Sequence, residues 1–402
     1  MNMLAVVIDG TSNVPGQKDD KVSLQSIHDD DKWMFNPNVA TNALLLWRWL
    51  SGEKATQTIK HRTQKYRYYG NIKPIEANNL NGEAIYFNGV GISGAAKTVQ
   101  QITGTGTSSR IRDAYRFLAE RYNEETKVCL FGFSRGAYAA RSLAGFINHV
   151  GLPKNRRLLP EEVVNDLFSA YRSAAPYNGE LKDEFEKCHV DFVGVFDTVG
   201  SLAFEDTANS FHNISPNNIR CFRHALALDE RRRSFKPDLF DCRHPTSNCD
   251  VREVWFAGAH SNIGGGYSLP KLSSITLIWM MREFEKYFSI GDLAIEKHPG
   301  HEQEAAAHQP KSGTDKSASY IRDSYHELLG VVGKIIDLSI GKSYRTVPDD
   351  IWHEFHPSVY EWLSQGGYCP IARAKGGKLI TADLVSRRLC PAEDWPLDKG
   401  IP

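Results

Sequence analysis

The chain has 402 residues, with 48 Lys and Arg against 48 Asp and Glu, so its formal net charge is zero. That length suits one large α/β domain with insertions, or a domain with an appendage, and the charge balance leaves no overall field drawing it to nucleic acid. Seven cysteines with no CxxC pair argue against zinc, and their odd number and wide spacing suit reduced thiols better than a disulfide framework.

The N-terminal run MNMLAVVIDGTSN lacks a basic n-region and meets Asp9 early, so no signal peptide is expected and synthesis in the cytoplasm is. Nor does any later segment have the length of a membrane span. Leu4 to Ile8 reads as a buried strand delivering the Asp9-Gly10-Thr11 turn. Thr41 then precedes NALLLWRWL, whose dense apolar positions suggest a capped helix. Glu83 to Phe87 is a short strand candidate, Ile111 to Tyr122 a helix, and Lys127 to Phe131 a fully buried strand. The last of these runs into FGFSRGAYAAR, where one serine stands between two glycines. Ala137, Ala140, Leu143, Ala144 and Ile147 then recur at helical spacing, and Gly151 with Pro153 closes the segment.

Val190 to Phe196 and Val251 to Phe256 are nearly continuous apolar runs, the pattern of parallel strands covered on both faces. Strands alternating with helices in this way predict an α/β fold, a doubly wound and mostly parallel sheet with helices on both faces. The domain expectation is a catalytic core over 1–290, a polar insertion or linker over 291–319, and a C-terminal extension over 320–402. Within the extension, Leu328 to Ile340 is apolar and broken by glycines. It reads as core, a lid or a membrane contact.

In a parallel sheet, ligand sites form where the carboxyl ends of strands converge. Three such ends carry Ser134, Asp197 and His260, the chain order serine, acid, histidine of an α/β-hydrolase triad. The serine hydroxyl needs a histidine to take its proton, and the histidine needs a carboxylate to fix its tautomer. Asp229, in RHALALDERRR, is the alternative acid, unless it only pairs with Arg231 to Arg233; Asp250 precedes its strand and belongs at the other edge. His260 could also be a loop histidine packed on Trp255. The oxyanion would be met by the backbone N–H of Arg135, with a second donor from the Gly10-Thr11 turn. A competing GxGxxG at Gly89, Gly91 and Gly94 follows a strand candidate, but the next residues break into glycines and threonines and no acidic residue ends a second strand at the required distance. No cofactor or metal is therefore expected.

IDGTSN, FGFSRGAYAARSLAG, FVGVFDTVGSL, HALALDERRRSF and VWFAGAHSNIGGGY together resemble the catalytic domain of bacterial type VI secretion lipase effectors of the first family, over roughly residues 3 to 290, with HPSVYEW a further echo. The resemblance implies an α/β-hydrolase fold and phospholipase A-type ester hydrolysis of membrane glycerophospholipids, with Ser134, Asp197 and His260 as triad. It implies action at a membrane surface as an antibacterial or self-damaging effector, with an immunity, delivery or sensor protein as partner. Asn262 departs from the family, which commonly has an aspartate after the His-Ser pair. A catalytically idle hydrolase-like scaffold is the rival reading, against which the intact triad argues.

Overall fold

Nearly continuous apolar runs form neighbouring strands of the sheet, because a strand covered on both faces must be largely apolar; the charges they do carry, Lys127 and Asp191, pair at 3.3 Å. In the computed structural model the described residues are 1–10, 40–51, 67–75, 80–89, 106–200, 216–241, 249–267, 271–290, 343–350, 353–366 and 368–391. They fall into two units. The first comprises Met1–Val14, Ala43–Phe222 and Asp238–Val251; the second comprises Pro15–Asn42, Arg223–Pro237 and Arg252–Pro402. The segment 291–319 and Leu328 to Ile340 lie outside the described residues, as do Thr11, Gly91 and Gly94.

In the first unit the strands are β1 (Asn2–Ile8), β2 (Arg67–Ile75), β3 (Leu80–Phe87), β4 (Lys127–Phe133), the short hairpin pair β5 (Leu152–Pro153) and β6 (Phe185–Glu186), and β7 (Val190–Phe196). The sheet order is β7-β4-β1-β3-β2. β1 is parallel to both β3 and β4, and β4 to β7, while β2 runs antiparallel to β3. Register sets the two faces. Val6 lies opposite Ile85 and Leu130, and Leu130 opposite Val193, so these side chains share one face. That face packs on α2 (Thr107–Ala119), α3 (Arg135–Val150) and α4 (Glu161–Arg172). Tyr115 of α2 meets Phe146 of α3 with centroids 4.3 Å apart, and Phe146 meets Tyr171 of α4 at 5.4 Å. The opposite face carries Tyr86 and receives α1 (Asn42–Ser51), whose Trp47 ring lies tilted against Tyr86 at 6.0 Å and donates to the Ala84 carbonyl at 3.2 Å. Helices thus cover both faces, as the alternation of strands and helices predicts.

β8 (Ile219–Ala227) and β9 (Asp250–Phe256) carry the chain from the first unit's residues into the second's. The second unit adds α5 (His260–Gly264), α6 (Lys271–Phe288), β10 (Thr346–Val347), β11 (His353–Phe355), α7 (Pro357–Gln365), β12 (Arg373–Ala374) and α8 (Ala382–Ser386). Its strand order is β11-β9-β8, with β11 parallel to β9. The polar residues here are buried in pairs rather than left outside. Arg223 of β8 and Arg252 of β9 both reach Glu283 of α6, and His224 Nδ1 lies 2.8 Å from Glu253. Each of these buried polar groups has a partner, as burial requires.

His356 shows how tightly this unit is sealed. It caps α7 by accepting from the Ser358 N–H at 3.2 Å and stacks on Phe256 at 4.7 Å. Burial, with the Arg282 charge adding to it, brings its imidazole from 6.5 down to about 3. The unfolded chain therefore binds this proton near 6.5 and the folded chain only near 3. The stability concerned is complete above the unfolded value and is lost as pH falls through the window below it, by at most about 1.4 kcal/mol per pH unit. His356→Asn keeps an acceptor at the cap and removes the titration. Thermal melts between about pH 4 and 6.5 are expected to show a shallower fall in Tm for this variant than for the parent; parallel curves would count against the buried neutral imidazole.

Candidate active site

The first candidate stands where strand, turn and helix follow without a spare residue: β4 ends at Phe133, Ser134 makes the turn, and α3 begins at Arg135. Ser134 adopts φ 58° and ψ −124°, a conformation that costs a residue with a side chain on the order of 1–3 kcal/mol. The flanking glycines make the turn possible. A Cβ on Gly132 would lie 2.5 Å from the Gly136 carbonyl, and one on Gly136 would lie 2.2 Å from the Ile8 carbonyl, so helix, turn and β1 meet backbone to backbone. The Ser134 N–H donates to the Phe196 carbonyl at 3.0 Å, which ties the elbow to the end of β7.

Asp197 follows Phe196 at that same strand end. It is fully buried and also strained, at φ 42°. Only four non-glycine residues among those described have positive φ, and two of them are the serine and the acid that the sequence singles out. Strain of this kind clusters at functional sites. The chain beyond Asp197 is fixed from behind: Asp238 N–H donates to the Thr198 carbonyl at 3.0 Å, and Arg141 of α3, wholly buried, donates to the Asp238 and Leu239 carbonyls.

Arg135 opens α3, and the first N–H groups of a helix have no acceptor within it; the ladder begins with Tyr138 N–H on the Ser134 carbonyl at 3.2 Å. Gly10, the other oxyanion candidate within the described residues, donates its N–H to the Asp9 carboxylate at 2.6 Å, and Tyr86 OH donates to that carboxylate at 2.5 Å. A small cavity here is lined by Asp9, Asn88, Thr107, Arg110, Arg135 and Gly136 among others.

In the second unit the ends of β8 and β9 are stitched together. Asp229 N–H donates to the Gly258 carbonyl at 2.9 Å, and its carboxylate accepts from Gly258 N–H at 2.7 Å, Tyr368 OH at 2.9 Å and Ile371 N–H at 3.0 Å. Burial pushes this carboxyl up, against those donors and Arg345, which favour the charge. The alternative in which Asp229 only pairs with Arg231 to Arg233 is not what these contacts show. Arg232 is instead bound by Glu230, which accepts from its Nε and Nη2 at 2.8 Å each.

His260 begins α5 after the turn Ala257-Gly258-Ala259. Gly258 sits at φ 120°, where a Cβ would meet the Asn262 side chain at 2.5 Å. Asn262 accepts from Ala259 N–H at 3.1 Å and thereby closes the turn. The imidazole is almost wholly buried, edge-on to Phe235 at 4.9 Å between centroids; the ring neighbour is Phe235 rather than Trp255. Its backbone N–H donates to Glu230 Oε2 at 3.3 Å. Burial raises Glu230, but the adjoining Arg232 guanidinium, with Arg345 and His260, more than reverses this and brings it to about 2. No spacing rule singles out Glu230; its only signal is an arginine two places on.

Among the described residues no helix is long and apolar enough to cross a membrane, and no group of three or more His, Cys, Asp or Glu could hold a metal ion. The chain is 32% identical to the uncharacterized protein YEL023C of Saccharomyces cerevisiae, over 35% of this chain and 24% of that one. Among solved structures it is similar to the Tle1 effector bound to the VgrG spike of the type 6 secretion system (TM-score 0.36, 19% identity, 66% of this chain and 51% of that chain). It is also similar to an uncharacterized protein from Pseudomonas aeruginosa (TM-score 0.37, 15% identity, 82% and 52%). The chain thus spans about a quarter of the yeast relative and about half of each solved chain. Residues 2–283 match the sequence model of the catalytic domain of Tle1-like type VI secretion phospholipase effectors, and the chain belongs to that family.

Proposed function

We propose that the chain is a serine hydrolase that cleaves carboxylic esters of membrane glycerophospholipids through an acyl-enzyme on Ser134. The observation that carries this reading is the strained elbow, with Ser134 at φ 58° between two glycines that admit no side chain. Such a turn presents a hydroxyl at the head of a helix whose dipole favours the negative charge that develops in acyl transfer.

In this mechanism His260 takes the Ser134 proton as Oγ attacks the ester carbonyl. The tetrahedral oxyanion accepts from the Arg135 N–H, and collapse expels the alcohol, which receives the proton from the imidazolium. Water then repeats the sequence on the acyl-enzyme, with the same base activating it and a fatty acid leaving. Asp197 orients the imidazole and stabilises its charge. Asp229 is the less suitable acid, since three donors from the surrounding turn and the 368–371 segment already hold its carboxylate. The second oxyanion donor belongs to the turn after β1, where Gly10 would have to give up its bond to Asp9 or Thr11 supply the N–H. The phospholipid as substrate and action as a membrane-damaging effector rest on the family's description.

Two measurements test the proposal together. A fluorophosphonate is expected to label Ser134 and no other residue, and mass spectrometry of a phospholipid mixture incubated with the protein is expected to show free fatty acid and lysophospholipid. Labelling without lipid turnover would keep the serine hydrolase and remove the substrate class; absence of both would leave an idle scaffold.

A further inference from the structure

The carboxylate of Glu230 is buried at the end of β8 and does more than neutralise an arginine. Its Oε1 accepts from both the main-chain N–H and the Nε of Arg232 at 2.8 Å, and its Oε2 accepts from Arg232 Nη2 at 2.8 Å and from the His260 N–H at 3.3 Å. The two-toothed grip fixes the guanidinium plane. That plane lies 3.5 Å over the centre of the Phe235 ring, and Phe235 in turn meets the imidazole of His260 edge-on, at an interplanar angle of 79°. Phe235 is pinned from its other side as well. Arg345 donates to the Phe235 carbonyl at 2.7 Å and to the Ala227 carbonyl at 2.9 Å. From one carboxylate, therefore, one bond runs to the main chain of His260 and a chain of contacts runs to its ring.

We propose that Glu230 is the positioning residue for the general base, setting both the placement of the His260 imidazole and its readiness to carry a proton. The inference rests on the reading of His260 as that base. A base must bring one ring nitrogen within hydrogen-bond reach of the serine hydroxyl, and a displacement of about 1 Å there costs on the order of 100-fold in rate. The charges that face this imidazole's surroundings in the second unit are Glu230 itself, Arg232 bound to it, Arg345 acting on it through charge, and Asp229 held in the turn before His260. With its carboxylate ionised, Glu230 offsets the two guanidinium groups. Without it their charge loses that offset and disfavours the imidazolium that the reaction needs.

The test uses the full chain with its histidines isotopically labelled. The His260 resonance is followed against pH by NMR, and kcat and KM are measured on a soluble short-chain ester, for the parent, Glu230→Gln and Glu230→Asp. In Glu230→Gln the imidazole is expected to titrate about half to one unit lower, with kcat down about 10- to 100-fold and KM within about twofold. Glu230→Asp keeps the charge and is expected to restore the titration though not the full rate. An unmoved titration, with a loss of rate that tracks a loss of Tm, would overturn the inference. Where Glu230→Gln fails to fold, Phe235→Leu tests the ring contact alone: kcat is expected to fall about 3- to 10-fold at constant KM, and an unchanged kcat would be fatal. His260→Ala, run alongside, reports on the base itself. Undiminished turnover there removes the reading of His260 as base, whereas the titration speaks only to Glu230.

Discussion

Ser134→Ala is expected to lower ester hydrolysis by a factor on the order of 10⁴ or more and to leave the melting temperature nearly where it was. The two halves of that expectation have separate origins. The rate falls because the reaction as proposed forms its acyl bond at Ser134 Oγ, and no other nucleophile stands at the head of α3 in its place. Stability holds because the elbow is maintained by backbone rather than by the hydroxyl: the Ser134 N–H bond to Phe196, and the packing of Gly132 against Gly136 and of Gly136 against Ile8. Alanine has the same Cβ and meets the same strain at φ 58°, so nothing is gained or relieved. The measurements are turnover of a soluble ester and a thermal melt on the same preparation. More than about a tenth of the parent rate remaining would remove Ser134 as nucleophile. A collapse of Tm alongside the rate would mean that the hydroxyl is structural.

The parts of this molecule that could be read from residues alone are those in which a strand is almost entirely apolar. Leu4 to Ile8, Lys127 to Phe131 and Val190 to Phe196 fall in the neighbouring strands β1, β4 and β7, and none extends in the structure by more than a few residues. The elbow was legible for a related reason: two glycines flanking a serine after such a strand leave the backbone few other arrangements. β8 was not. RCFRHALA alternates charge with apolar side chains, which looks ambiguous until Arg223 is seen against Glu283 and His224 against Glu253, partners far along the chain that no local window contains. β11 is only three residues long, His353–Phe355, and exists because β9 offers it an edge. The roles of Asp229 and Glu230 depend in the same way on contacts with residues 258, 260, 345, 368 and 371. Adjacent in sequence, one carboxylate joins two strand ends and the other grips Arg232.

That division sets up the second large effect, a comparison of two buried aspartates at two strand ends. Asp197→Asn is expected to cost turnover a factor on the order of 10⁴ with little change in stability, and Asp229→Asn to cost stability, by about 1–3 kcal/mol, with a much smaller change in the rate of whatever folds. At position 197 the backbone is at φ 42°, a region in which asparagine is among the best tolerated residues, so the main chain has no reason to move. What changes is chemical. The carboxamide can donate where the carboxylate could only accept, which permits the wrong imidazole tautomer and removes the charge that stabilises imidazolium. At position 229 the carboxylate accepts from three donors, Gly258 N–H, Tyr368 OH and Ile371 N–H. A carboxamide there presents an NH₂ to at least one of them, so a buried donor loses its acceptor and a second donor is forced against it. Burial already pushes the Asp229 carboxyl up, so the loss of charge itself matters less than the loss of acceptors. Rates at matched folded fraction, with melts of both variants, separate the two. Should Asp229→Asn prove the slower enzyme at equal folding, Asp229 is the acid of the triad and the strain at Asp197 serves the fold alone.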